Sequence, residues 1–197
     1  MTAQLSLERD KTAVVIMDYQ NDIVGAYPEA LRDELLAKAS AVLTGARREG
    51  IPIIYVVVRF REGYPEISLR DAARRGIKES GRLREGTFGA EIYPAVAPQP
   101  GEVVVTKRRT GPFSTTDLTA VLNAKGIETL VLMGVSTSGC VLTAVRWAAD
   151  IDYHLIVLAD CCADRDEEVH RVLTEKVFPR QATVVTSQEF LQAVGGA

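Results

Sequence analysis

Six short runs of apolar, largely β-branched residues recur along the chain, and helix-patterned stretches separate most of them. Residues 12–17 (TAVVIM), 51–58 (IPIIYVVV), 103–106, 129–133, 154–158 and 182–185 each read as a strand. The clearest of these runs lack polar alternation, so both faces must be covered, as in a parallel sheet flanked by helices. Residues 28–49 carry Leu31, Leu35, Ala39, Val42 and Ala46 at the three-and-four spacing of a surface helix, opened by Pro28 and closed by Gly50. Further helices are expected at 117–125, 138–150, 166–177 and 188–194, with Asp164 and Glu167 spaced as a capping box. Strands alternating with helices pair in parallel through right-handed crossovers. The expected fold is therefore α/β: a three-layer α/β/α sandwich around a six-stranded parallel sheet, as a single domain over residues 1–197. Only residues 59–100 break the rhythm. They are rich in Gly, Arg and Glu without a strong period, and a loop of that length reads as a lid or an insertion.

Charge and composition narrow the partners. The net charge of −3 offers no basic surplus to hold a polyphosphate backbone, and 6% aromatic residues offer few stacking platforms, so nucleic acid is not an expected partner. The longest uncharged stretch, 129–145, is interrupted by Gly134, Ser136, Ser138 and Gly139 and reads as strand–turn–helix, not as a membrane span. Glu8, Arg9, Asp10 and Lys11 precede the first apolar run, unlike a secretory leader. Three cysteines, Cys140, Cys161 and Cys162, do not form a disulfide framework and suit a reducing, cytoplasmic compartment. The only histidines are His154 and His170, with no Cys-x-x-Cys pair, so no metal site is expected. No Gly-rich phosphate loop follows the first strand, and no cofactor is expected.

In open parallel sheets ligands bind at the carboxyl ends of the strands. Asp18 follows strand one, Lys107 follows strand three, Cys140 sits in the turn after strand four, and Asp160 follows strand five. Cys140 opens a helix whose free N–H groups favour a thiolate and can hold an oxyanion; its other reading is a small buried residue. A thiol needs a proton acceptor, and Asp18 and Asp160 compete for that role on spacing alone; Lys107 supplies a cation. His154 opens strand five at the opposite end and His170 lies mid-helix, so neither favours a Cys–His pair. Gln20 is a candidate for a substrate carbonyl or an ordinary turn residue. Phe88 and Phe113 are candidates for a pocket wall or for the core. Arg59, Arg108 and Arg109 are candidates for holding a substrate carboxylate, or are solvated. Thr186 and Ser187 are expected to cap the last helix.

Taken in order, VVIMDYQNDIV, EGTFGAEI (85–92), VVVTKRRTGPFSTTDL and GVSTSGCV resemble the isochorismatase-like cysteine hydrolase superfamily over essentially the whole chain. The resemblance implies that Cys140 is a nucleophile forming a thioester. Asp18 rather than Asp160 is then the base, later serving the leaving amine and the hydrolytic water, and Lys107 orients it and stabilises the thiolate. It further implies a cis peptide at Val135–Ser136, with the Ser136 and Cys140 N–H groups as oxyanion hole, and a homo-oligomer acting on a small molecule. Its sheet order, 3-2-1-4-5-6, would leave Lys107 two strands from Asp18, roughly 10 Å; a 2-1-3 order would bring them nearer, and spacing leaves both open. Nicotinamidases of the superfamily carry metal ligands after strand two, where this chain has Arg59-Phe60-Arg61-Glu62-Gly63-Tyr64. Isochorismatases proper lack the cysteine, so Cys140 points to an amide, ureide or carbamoyl C–N bond. The competing readings are a vinyl-ether hydrolase without a covalent intermediate and a non-catalytic, flavodoxin-like binding module.

Overall fold

A computed structural model describes residues 5, 7–68 and 70–195. Its elements are β1 (Thr12–Met17), α1 (Asn21–Val24), α2 (Glu29–Arg48), β2 (Ile53–Val58), α3 (Ala72–Ser80), β3 (Val103–Lys107), α4 (Leu118–Ala124), β4 (Thr129–Val135), α5 (Leu142–Ala149), β5 (His154–Ala163), α6 (Glu167–Val172), β6 (Thr183–Val185) and α7 (Ser187–Gly195). The six strands form one sheet in the order β3-β2-β1-β4-β5-β6, every pair parallel. The uninterrupted apolar runs have the expected cause. Val14, Ile16, Ile53, Tyr55, Val131 and Met133 pack under α2 and α7, while Ala13, Val15, Ile54, Val56, Leu130 and Leu132 pack under α4 and α5. Side chains alternate across a strand, so each run feeds both layers of the sandwich.

Several boundaries move for local reasons. β5 is twice its expected length, because Cys162 and Ala163 pair with Gly134 and Val135 beyond a register shift. The residues bearing Cys140 form a wide π-helical turn, Thr137–Val141, before α5 begins. α6 gives way to another such turn at Leu173–Val177. Its N-cap is Asp166, whose carboxylate accepts from the Glu168 and Val169 N–H groups, so the expected capping box built on Asp164 is replaced. Asp164 instead accepts from Ser138 N at 2.7 Å and Arg165 N at 2.9 Å, because it faces the Cys140 turn. At α7, Thr186 and Glu189 cap reciprocally.

The irregular 59–100 stretch contains α3 and a small core of Phe60, Tyr64, Ile67 and Leu83 beside Val58. Arg74, Ile77, Arg82 and Leu83 roof the carboxyl end of the sheet. The later part is tied down by the turn after β1: Asn21 Nδ2 donates to Phe88 O, Asp22 Oδ2 accepts from Leu83 N, and Gln20 bridges to Ile92. A Cβ on Gly89 would run into the Asp22 carboxylate, which is why a glycine lies there.

Candidate active site

Asp18 is the first residue beyond β1. Its N–H donates to Val56 O on the neighbouring strand at 2.8 Å, and its φ of 61° is a left-handed conformation that aspartate tolerates better than most residues. Lys107 ends β3 opposite Val58. The order β3-β2-β1 does leave it two strands from Asp18, and the long side chain closes that distance. Lys107 Nζ donates to Asp18 Oδ2 at 2.6 Å and to Thr110 O at 2.6 Å. Both side chains are buried, and Asp18 Oδ1 has no hydrogen-bond partner.

Cys140 lies against this pair, interacting with the Asp18 carboxyl. It is 2% exposed, and its Sγ lies 3.5 Å from Ser136 O. Burial, and then the Asp18 charge, push its thiol well above the ordinary range, against the opposing pull of Lys107. Burial likewise raises Asp18, and Lys107 only partly offsets it. Desolvation thus works against the thiolate that the turn's N–H groups and the Lys107 ammonium favour. The Val135–Ser136 peptide is cis, and Ser136 N–H donates to no protein acceptor among the described residues.

These groups open into a cavity of about 450 Å³, also lined by Tyr27, Arg74, Arg82, Arg109, Asp164 and Arg165. A groove of about 650 Å³ at the amino end of the sheet, beside His154, contains none of them. Asp160 is not at the cavity; its carboxylate accepts from Ser187 N and Oγ, tying down α7. Five further candidates lie elsewhere. Gln20 is fully buried, its amide donating to Val58 O and Ala90 O and accepting from Val58 N, so it clamps the backbone and has no hydrogen left for a substrate. Phe113 packs in the core 6.5 Å from the Trp147 ring, and Phe88 is 76% exposed on the surface. Arg59 pairs with Glu91, and Arg108 with Glu85 and Glu66. Arg109 does line the cavity, with Nη1 on Glu66 O and Arg108 O. Arg165 is not among the sequence candidates; its signal is its place just past the carboxyl end of β5, which the apolar run alone ends at 158. Among the described residues, no three His, Cys, Asp or Glu side chains group to hold a metal ion.

The family model for the isochorismatase domain matches residues 12–189. The chain belongs to the isochorismatase family. Among relatives of this isochorismatase-family hydrolase, the uncharacterised family protein YwoC of Bacillus subtilis is 31% identical, covering 98% of this chain and 100% of its own. The maleamate amidohydrolase of Pseudomonas putida is also 31% identical, over 79% of this chain and 72% of its own. A cysteine hydrolase structure from Pseudomonas syringae superposes with a TM-score of 0.89 at 22% identity, covering 98% and 96% of the two chains, and so shares the isochorismatase fold.

Proposed function

We propose that the protein hydrolyses a C–N bond (amide, ureide or carbamoyl) of a small carboxylate-bearing molecule through a thioester on Cys140. One observation carries this reading: a buried Asp18 side chain fixed on one oxygen by Lys107 has its other oxygen unbonded and the Cys140 side chain alongside. As Sγ attacks the carbonyl carbon, its proton passes to Asp18, so no thiolate has to persist in the buried site. The developing oxyanion is held by the N–H groups of Ser136 and Cys140. The C–N bond breaks as Asp18 returns the proton to the departing nitrogen, leaving the acyl group on sulfur. Water then attacks the thioester, giving a proton to Asp18, which passes it to the sulfur as the C–S bond breaks, releasing the acid and restoring both the thiol and the carboxylate. Lys107 keeps the carboxylate oriented throughout.

The charge of the cavity supports an anionic substrate. Five basic and two acidic side chains line it, in a chain whose net charge is −3. Arg109 and Arg165 are the guanidinium groups best suited to a carboxylate held at a distance from the sulfur. The test is a panel of small amides, ureides and carbamoyl acids with matched neutral analogues, read by ammonia release. Wild type should prefer the acids, Cys140→Ala should abolish turnover, and Arg165→Ala should raise KM about tenfold or more for the acids only, as loss of a charge-assisted hydrogen bond does. Retained activity in Cys140→Ala together with its loss in Asp18→Ala would instead establish a non-covalent hydrolase.

A further inference from the structure

The proposed mechanism leaves His170, close to the reacting turn, unused. His170, on α6, is half-buried, and its Nδ1 lies 2.8 Å from Thr137 Oγ1. Thr137 is fully buried, directly follows Ser136, and begins the π-helical turn that ends in Cys140 and Val141. His170 is the only hydrogen-bond partner of its hydroxyl among the described residues. The turn has a second outside tether on its next residue, Ser138 N to Asp164 Oδ2. Both tethers come from the short segment 164–170 that also brings Arg165 to the cavity.

We infer that His170 is a positioning residue: through Thr137 it fixes the Ser136–Cys140 turn at the place where that turn must meet a substrate carbonyl oxygen. This rests on the proposed role of that turn in hydrolysis. Within this single π-helical turn Ser136 O receives the Gly139 and Val141 N–H groups at 3.2 and 3.4 Å, and the Leu142 N–H reaches Gly139 O and Thr137 O, all of them backbone bonds that leave the Thr137 hydroxyl to an outside partner. The His170 and Asp164 bonds add the tethers from outside. Burial lowers the His170 pKa and Asp164 acts to raise it, so the neutral ring is the form that meets Thr137 near neutral pH. A neutral imidazole and a hydroxyl can satisfy one another in either tautomer. A leucine at 170 would leave a buried hydroxyl without a partner, free to turn the Ser136–Thr137 segment.

The test uses the full-length chain and the substrate that wild type hydrolyses fastest, comparing His170→Leu, His170→Asn, Thr137→Val, the Leu/Val double variant and Cys140→Ala. Expected is a fall in kcat of about ten- to a hundredfold in His170→Leu, short of the 10²–10³ seen when an oxyanion donor is removed outright, with KM within twofold. His170→Asn, which keeps a hydrogen-bonding group near the Nδ1 position, should recover most of the loss. The double variant should be no slower than the worse single one, since both remove one bond. Wild-type kcat in His170→Leu, or a loss that Asn does not rescue and that adds to the Thr137→Val loss, overturns the inference. Cys140→Ala reports separately on the thioester: if it stays active while His170→Leu loses kcat, the covalent reading fails and the positioning role stands.

Discussion

Asp18 presents two oxygens with different tasks, and its titration reports on both. Oδ2 is held by Lys107, while Oδ1 is unbonded. Burial raises the carboxyl above its ordinary value of 3.8, and Lys107 lowers it. The proposed base works only when deprotonated, so activity should fall as pH drops through this raised value. The acid limb of kcat/KM should therefore lie above pH 3.8. Lys107→Met should move that limb to higher pH, since the lowering partner is gone, and a pH–rate profile of both proteins measures the displacement. An unmoved limb would mean that the lysine does not act on this carboxylate. The same substitution breaks a buried ion pair and should cost about 3–5 kcal/mol in urea denaturation.

At the scale of elements, the site depends on how closely β4 and the Cys140 turn approach. A Cβ on Gly134 would lie 3.0 Å from Met17 Cβ, 3.1 Å from Cys140 Sγ and 3.1 Å from Val141 Cγ2. The glycine therefore sits where two strands and the turn meet, and an added methyl must displace the sulfur or splay the strands. Gly134→Ala should destabilise by about 1–3 kcal/mol, as overpacking does, and should slow hydrolysis by more than tenfold through the shifted sulfur. Urea midpoints and ammonia release read the two effects; a variant matching wild type in both would show that the approach has slack. The turn after β1 works differently. Gln20 is a candidate substrate contact in the sequence, yet it, Asn21 and Asp22 all hold down the 83–92 segment. Periodicity cannot reveal this, because their partners lie some 60–70 residues away.

For the whole molecule, the distribution of charge matters more than its sum. The chain is acidic overall, while the cavity gathers Arg74, Arg82, Lys107, Arg109 and Arg165. Such a focus should draw in anions and be weakened by salt, since the Debye length shrinks from about 30 Å at 0.01 M to about 3 Å at 1 M. Across that range kcat/KM should fall several-fold for a carboxylate substrate and stay level for a neutral amide. An unchanged value for both would rule out electrostatic capture. The strands, the layers and the residues standing at the carboxyl ends of β1, β3 and β4 were legible in the chain itself. Apolar runs, helix spacing and the residue that ends each run are local properties, fixed by what must be hidden from water. Which carboxylate meets Cys140, whether Lys107 reaches it, which arginines face the cavity and what Thr137 leans on were decided only in three dimensions. Those depend on strand order, on the register shift that lengthens β5 and on desolvation, each of which arises only when distant segments pack together.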